Sequence, residues 1–390
     1  MYEKETLESK INKRMCTRCI YDERVPKIQF NENGVCNYCQ MVDNLKSQYH
    51  TGTPEGIKNF LDIVEEIKEN GKNKKYDCVV GVSGGTDSSF MIVKAIEWGL
   101  RPLAVHYDNT WNTAIATENI SKVLGKLNVD LFTHVVDNIE SDDIFRSFFI
   151  ANVPEIDGPT DIALAETMYR AASKHGIKYV LEGHSFIAEG VSPLSSAYVD
   201  GGYIKDVHKK YGKIPMKTFP NMSFASFMKW ILVKRIKKIR PFWYLPYSKE
   251  EARVMLEKEY NWQYYGGHHL ENRMTAFNHS VYFPQKFGID QRNNSLSAQV
   301  RAGLISKEDA ISEYSQPPYI EEDLISYFKK RLGFSDEEYD RIINGERKSY
   351  RDYKTYKKLF EILRPLFFLL AKANLVPMSF YIKYTSKGEI

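Results

Sequence analysis

The chain predicts an α/β fold, a doubly wound parallel sheet with a small cysteine module ahead of it and a mostly helical region behind. Three observations predict it. Residues 76–82 form a short β-branched apolar run that passes through a glycine-bearing segment, 83–89, into 90–98, which has helical periodicity and stops at Gly99. A second apolar run, 102–108, comes next. The alternation then recurs as an amphipathic helical stretch, 160–175, closed by Gly176, and the strand-like 179–181. Apolar strands separated by helices fit a parallel sheet covered on both faces.

Composition permits this. With 390 residues, 43% apolar and 27% charged, the chain can build two or three cored domains and shows no low-complexity bias. Its 54 basic and 50 acidic side chains leave a net charge of +4, which argues against a nucleic-acid partner. The organisation expected is a module at 1–50, the sheet domain at 51–200, a substrate-binding region at 201–310 and a helical region at 311–390. The first residues are charged and lack the apolar centre of an export signal, and the longest apolar stretch, 366–370, is far short of the ~18 residues of a membrane span. A cytoplasmic location is therefore expected.

Four of the five cysteines fall in the first module. Cys16-x2-Cys19 and Cys36-x2-Cys39, with 16 residues between the pairs, have the spacing of a four-thiolate zinc ribbon. Two thiolates on each of two tight turns complete a tetrahedral shell with no open position, so this Zn²⁺ is expected to be structural. Ile28-Gln29-Phe30 reads as a short strand and Asn31-Glu32-Asn33-Gly34 as a hairpin turn. A reducing compartment argues against disulfides, while the same four ligands also suit an iron–sulfur cluster.

The segment Ser83-Gly84-Gly85-Thr86-Asp87-Ser88-Ser89 joins a strand to a helix, the order used to bind phosphate. Glycines admit an anion close to the backbone, hydroxyls add donors, and the helix N-terminus adds amides and a positive dipole end. The Walker A lysine is missing; Asp87 stands in the loop instead, and a carboxylate beside phosphates implies a bridging Mg²⁺.

This wording, SGGTDSS after an apolar strand, resembles the PP-loop, or N-type ATP pyrophosphatase, superfamily over about residues 75 to 190. The resemblance implies that ATP is cleaved between its α and β phosphates. It further implies that the end of the second strand, with His106 and Asp108, contacts adenosine, and that Gly183 and His184 face the ligand at a later strand end, with Ser83, Asp87 and His184 nearest the chemistry. Both histidines are equally compatible with structural roles.

Together, the cysteine module, with Cys-Thr-Arg-Cys-Ile-Tyr-Asp and Gly34-Val35-Cys36-Asn37-Tyr38-Cys39, and the loop resemble the bacterial N-acetyl sugar amidotransferases along most of the chain. So do residues 266–273 and 287–292. That resemblance implies conversion of an acetamido group on a surface-polysaccharide sugar, nucleotide-linked in the expected case, to an acetamidino group. Glutamine hydrolysis needs a reactive cysteine, and Cys78, alone outside the module, lies in an apolar strand. A separate glutaminase is then expected, and the family resemblance implies that the ammonia suppliers are partner subunits resembling a glutaminase and a cyclase.

Beyond residue 200 the sequence turns aromatic and basic. His268, His269, Glu271, Arg273 and Arg292 are the expected contacts to an anionic sugar, arginine being suited to bidentate recognition. His279 and Arg301 belong to the same cluster. Residues 224–240 read as a basic amphipathic helix, and the aromatic faces after Glu321 as core or homo-oligomer contact. Two other functions compete: a PP-loop tRNA sulfur-transferase, and a non-enzymatic zinc-ribbon adaptor.

Overall fold

The computed structural model describes residues 14–191, 198–267 and 270–386. Its centre is a five-stranded sheet, β1 (Cys78–Gly81), β2 (Pro102–Asp108), β3 (Leu131–Val135), β4 (Tyr179–Leu181) and β5 (Lys237–Ile239). The order is β3-β2-β1-β4-β5, and every neighbouring pair is parallel. The chain runs outward from β1 in one direction and from β4 in the other. The switch point, where open α/β sheets bind ligands, therefore lies between the carboxyl ends of β1 and β4.

Strand periodicity divides the core in two. Cys78, Val80, Ala104, Tyr179 and Leu181 face one side, where α2 (Pro54–Gly71), α3 (Thr86–Glu97) and α4 (Ala114–Leu127) contribute Phe60, Ile67, Met91, Ile92, Ile120 and Val123. Val79, Leu103, Val105 and Val180 face the other, against Met168 and Ala172 of α6 (Gly158–Lys174) and against Phe360, Phe367 and Leu370. The C-terminal helices thus cover one face of the sheet. A third cluster, with Trp111, Phe148, Phe149, Tyr203, Phe277, Tyr282 and Phe328, joins α5 (Asn138–Ile150) and α7 (Gly201–Tyr211) to the segment 273–343.

Two boundaries differ from the sequence expectation. The sheet does not end at residue 200, because β5 pairs with β4 through Tyr179–Lys237, Val180–Lys238 and Leu181–Ile239. Residues 224–240 are correspondingly not one helix: Phe224–Met228 is α-helical, Lys229–Val233 continues as a π-helical turn, and the chain then enters β5. A three-residue edge strand rich in lysine has no apolar alternation to reveal it, and edge lysines are common where open edges must not pair.

The cysteine module is compact, with bridges between Met15 and Asp22 and between Phe30 and Cys36. Cys36 caps α1 (Asn37–Tyr49), its sulfur accepting from the Cys39 amide. Helix Arg292–Arg301 and its neighbour Lys307–Ser315 pack on the module through Leu296, Ala310 and Ile20. Among the described residues, no helix is long and apolar enough to cross a membrane.

Candidate nucleotide and metal sites

The loop after β1 is shaped by close approach. Gly84 has φ +82°, and a Cβ there would stand 2.1 Å from the Ala116 carbonyl oxygen. Only glycine fits such a position. Its own carbonyl accepts from the Trp262 indole N–H at 3.0 Å and from Asn119 at 3.4 Å, and Asn119 exchanges two further hydrogen bonds with the Gln263 backbone. Segment 262–265 is thereby tied across the loop. Ser88 Oγ accepts from the Ser83 amide and donates to the Gly85 carbonyl, while Ser83 Oγ accepts from the Gly85 amide. Gly85 is the N-cap of α3 and places no capping side chain over the first-turn amides; the Thr86 amide donates to the Tyr265 hydroxyl at 3.4 Å. Ser89 is buried in the same turn.

Asp87 does not stand alone. Its carboxylate accepts from the Tyr247 hydroxyl and pairs with Lys249 Nζ at 2.7 Å. Burial works against the lysine charge, but Asp87 and the nearby Glu189 and Glu271 hold the Lys249 pKa above its ordinary value. A fixed ammonium at the loop is what the Walker A lysine would have supplied; here it comes from helix Lys249–Tyr260, 162 positions along the chain. Nothing in the local pattern of Tyr247, Lys249, Trp262 and Tyr265 distinguishes them from ordinary helix-start and loop residues, so the sequence alone does not point to them. Glu271 was expected, and the structure brings it to the loop: a Cβ on Gly85 would lie 3.1 Å from its Oε1.

The end of β4 meets the loop directly. A Cβ on Gly183 would lie 2.8 Å from the Asp87 carbonyl oxygen. His184 Nδ1 accepts from the Trp243 indole at 3.1 Å, and its Nε2 lies 3.6 Å from Glu189, whose carboxylate also receives the Ser185 amide. Glu182 pairs with Lys238 at 2.6 Å and Arg240 at 3.1 Å. Burial would raise its pKa, but these two cations outweigh it and hold it down to about 2.

Several expected contacts have other geometry. His106 is buried, with Nδ1 2.8 Å from the Val82 carbonyl oxygen and Nε2 3.1 Å from Asn112 Nδ2. With both nitrogens engaged, the ring braces the end of β2 instead of presenting an atom to a nucleotide. Asp108 accepts from the Thr110 amide and is part of that turn. Arg273 pairs with Glu321 and Asp323 and lies over the Tyr327 ring at 4.1 Å, directed into the C-terminal region. Arg292 is spent on Asp290 and on the carbonyls of Glu313, Tyr314 and Gln316, closing the helical pair that holds the cysteine module. The expected contact of Arg292 to an anionic sugar gives way to this structural role, because its Nε and both terminal nitrogens already have partners. Arg301 likewise turns to the module, over the Tyr21 ring. His268 and His269 lie outside the described residues.

Cys16, Cys19, Cys36 and Cys39 are fully buried, and their sulfurs all lie within 4.8 Å of one another. The Cys16–Cys39 and Cys19–Cys36 separations are 3.8 and 3.9 Å. Thiolates about 2.3 Å from a tetrahedral zinc lie about 3.8 Å apart. The arrangement fits one tetrahedral ion; a cubane cluster, with each thiolate on a different iron, would spread the sulfurs further.

The chain shows similarity to known proteins. Residues 271–366 match the family model described as LPS biosynthesis protein WbpG-like, C-terminal domain. The uncharacterized protein MJ1599 of Methanocaldococcus jannaschii is 24% identical over 307 residues, spanning 77% of this chain and 93% of that protein. Among solved structures, an NMN synthetase from Francisella tularensis aligns at 13% identity and TM-score 0.31, over 74% of this chain and 96% of its own. A U34-tRNA thiolase, NcsA from Methanococcus maripaludis, determined with its 4Fe-4S cluster, aligns at 10% identity and TM-score 0.31, over 83% of this chain and 99% of its own.

Proposed function

We propose that this protein is an ATP-dependent enzyme of surface-polysaccharide sugar biosynthesis, and specifically an amidotransferase that converts an N-acetyl group to an acetamidino group. The observation that carries the reading is the loop 83–89 at the sheet's switch point, with Asp87 in it and Lys249 paired to Asp87 from a distant helix. The match of 271–366 to a lipopolysaccharide-biosynthesis family model directs it to sugars.

In this reading the loop amides and Lys249 hold the β and γ phosphates of ATP, and Lys249 exchanges Asp87 for phosphate oxygen. Mg²⁺ held by Asp87 would neutralise phosphate charge. The acetamido oxygen attacks the α phosphorus, the bond to the β-phosphate oxygen breaks, and pyrophosphate leaves. Ammonia then adds to the imidate carbon, and AMP departs carrying the former amide oxygen. The products are the amidinium, AMP and pyrophosphate. The chain's contribution is positioning and charge, with no covalent intermediate on the protein.

Ammonia comes from partner subunits. Cys78 is buried in β1, where burial pushes its thiol pKa well up, and the other cysteines form the module. The same fact weighs against thiol-based sulfur transfer. The four-cysteine site is read as structural Zn²⁺. The test is isotopic: a sugar labelled with heavy oxygen in its acetamido group, turned over with ATP and ammonium, should pass the label into AMP. Label retained in the sugar, or turnover dependent on tRNA, would refute the reading.

A further inference from the structure

The C-terminal helices that cover the sheet are apolar on two sides. Helices Lys357–Ile362 and Arg364–Lys372 run on through Leu363, whose amide donates to the Leu359 carbonyl and whose carbonyl accepts from the Phe367 amide. Their inner side, with Phe360, Phe367 and Leu370, is buried in the core shared with the sheet. Their outer side lies open: Ile362 is 74% exposed and Leu369 64%, and Leu359, Pro365 and Phe368 are exposed as well. A helix that covers a sheet needs one apolar stripe, with polar residues opposite. Here the opposite side is apolar too, and contiguous exposed apolar surface of this kind marks an interaction site.

Position and charge narrow what covers it. Lys358, Ile362, Pro365, Leu369 and Lys372 recur at alternating steps of four and three residues, which puts them on one stripe with a lysine at each end. Arg364 and Lys372 stand one turn to either side of Phe368: the Arg364 guanidinium lies 5.0 Å from the Tyr381 ring, that ring packs on Phe368 at 5.5 Å, and Lys372 Nζ lies 5.6 Å from the Phe368 ring. The one acid between Lys354 and Lys383, Glu361, lies 3.8 Å from Lys357 Nζ. The π-helical turn Lys229–Val233 repeats the pattern. Trp230 and Ile231 enter the same buried core, Leu232 and Val233 are exposed, and Lys229, Lys234 and Arg235 come with no acid anywhere in 224–240. Pairing two copies of the stripe sets lysine against lysine, whether they run parallel or antiparallel, so a second copy of this chain is the poorer match. An anionic membrane surface suits both features: apolar side chains enter the boundary between headgroups and acyl chains, and cations meet lipid phosphates.

We propose that the outer face of helices Lys357–Ile362 and Arg364–Lys372 seats this protein on an anionic membrane surface. Ile362, Phe368 and Leu369 enter the headgroup boundary, and Lys358, Arg364 and Lys372 meet the lipid phosphates. The attachment is to one leaflet, without a span. It goes beyond the function given above and does not depend on it.

Flotation of the full chain with lipid vesicles tests this. With phosphatidylcholine and phosphatidylglycerol in equal parts, binding at low salt should be at least tenfold stronger than with phosphatidylcholine alone, and high salt should release the protein. Each cation near an anionic surface contributes about fivefold to partitioning, so Lys358→Gln combined with Lys372→Gln should weaken binding about twentyfold. Ile362→Asp combined with Leu369→Asp should abolish flotation while thermal unfolding stays as in the wild type, since both side chains are exposed. Absence of wild-type flotation with the anionic vesicles, or flotation indifferent to both double variants, overturns the proposal. So does a dimer in light scattering that the aspartate pair dissolves, which would give the face to a second copy of the chain.

Discussion

Lys249 sits on Asp87 at 2.7 Å, with Tyr247 on the second carboxylate oxygen, at the start of a helix whose first-turn amides have no capping side chain. A preorganised cation aimed at departing pyrophosphate is worth about 10²–10³ in rate. Lys249→Met is accordingly expected to lower kcat/KM for ATP by about that factor, with Lys249→Arg recovering part of it; steady-state kinetics on the two variants measures this, and unchanged kinetics for the methionine variant would remove Lys249 from the site. Neither Tyr247 nor Lys249 was legible in the sequence, because a contact across 162 positions leaves no local pattern and Ser248 between them reads only as a helix cap. Asp87 was legible, since its glycine-loop context is local. Glu182 gives a second residue-scale prediction. Its folded pKa is depressed, so its ion pairs stabilise the fold above the ordinary carboxylate range and lose that contribution as pH falls toward about 2. The stability difference between wild type and Glu182→Gln, measured by urea unfolding, should be full near neutrality and shrink steadily below about pH 4.5.

Among the elements, β1, β2 and β4, with the helix after β1 and the helix before β4, were readable because their apolar runs are bounded by glycine and caps; β3 was not read, its five residues including Thr133 and His134. Nor was β5, as Lys237, Lys238 and Ile239 present one apolar side chain in three. The cysteine module was readable from spacing alone, but its neighbours were not: Arg292 and Arg301 looked like anion contacts, whereas the helical pair they belong to clasps the module. An arginine's partners depend on tertiary packing, which residue type does not encode. Cys16→Ser should reduce bound zinc from about one per chain toward zero and lower the melting temperature, because the site organises both module turns and the start of α1. Metal analysis alongside calorimetry checks it; full zinc content in the variant would contradict the four-thiolate site.

At the scale of the molecule, the parts are not separable. Val79, Leu103, Val105 and Val180 of the sheet share one core with Phe360, Phe367, Leu370 and Val376. Each such side chain contributes about 1.5–3 kcal/mol on burial, so losing four approaches the roughly 5–15 kcal/mol that holds a typical domain together. A chain ending at residue 356 is therefore expected to lose cooperative unfolding and to bind hydrophobic dyes, and a cooperatively folded, ATP-binding truncation would refute the shared core. The expected division at 311 misplaced this dependence, since helical periodicity shows that a helix has an apolar face but not which sheet that face covers.

Which phosphate bond of ATP is cut is the most direct test of the proposed chemistry. With ATP labelled at the γ phosphate, supplied with ammonium and an acylated acidic sugar, all released label is expected as pyrophosphate, with AMP appearing in equal amount. Label released as orthophosphate with matching ADP would contradict cleavage between the α and β phosphates.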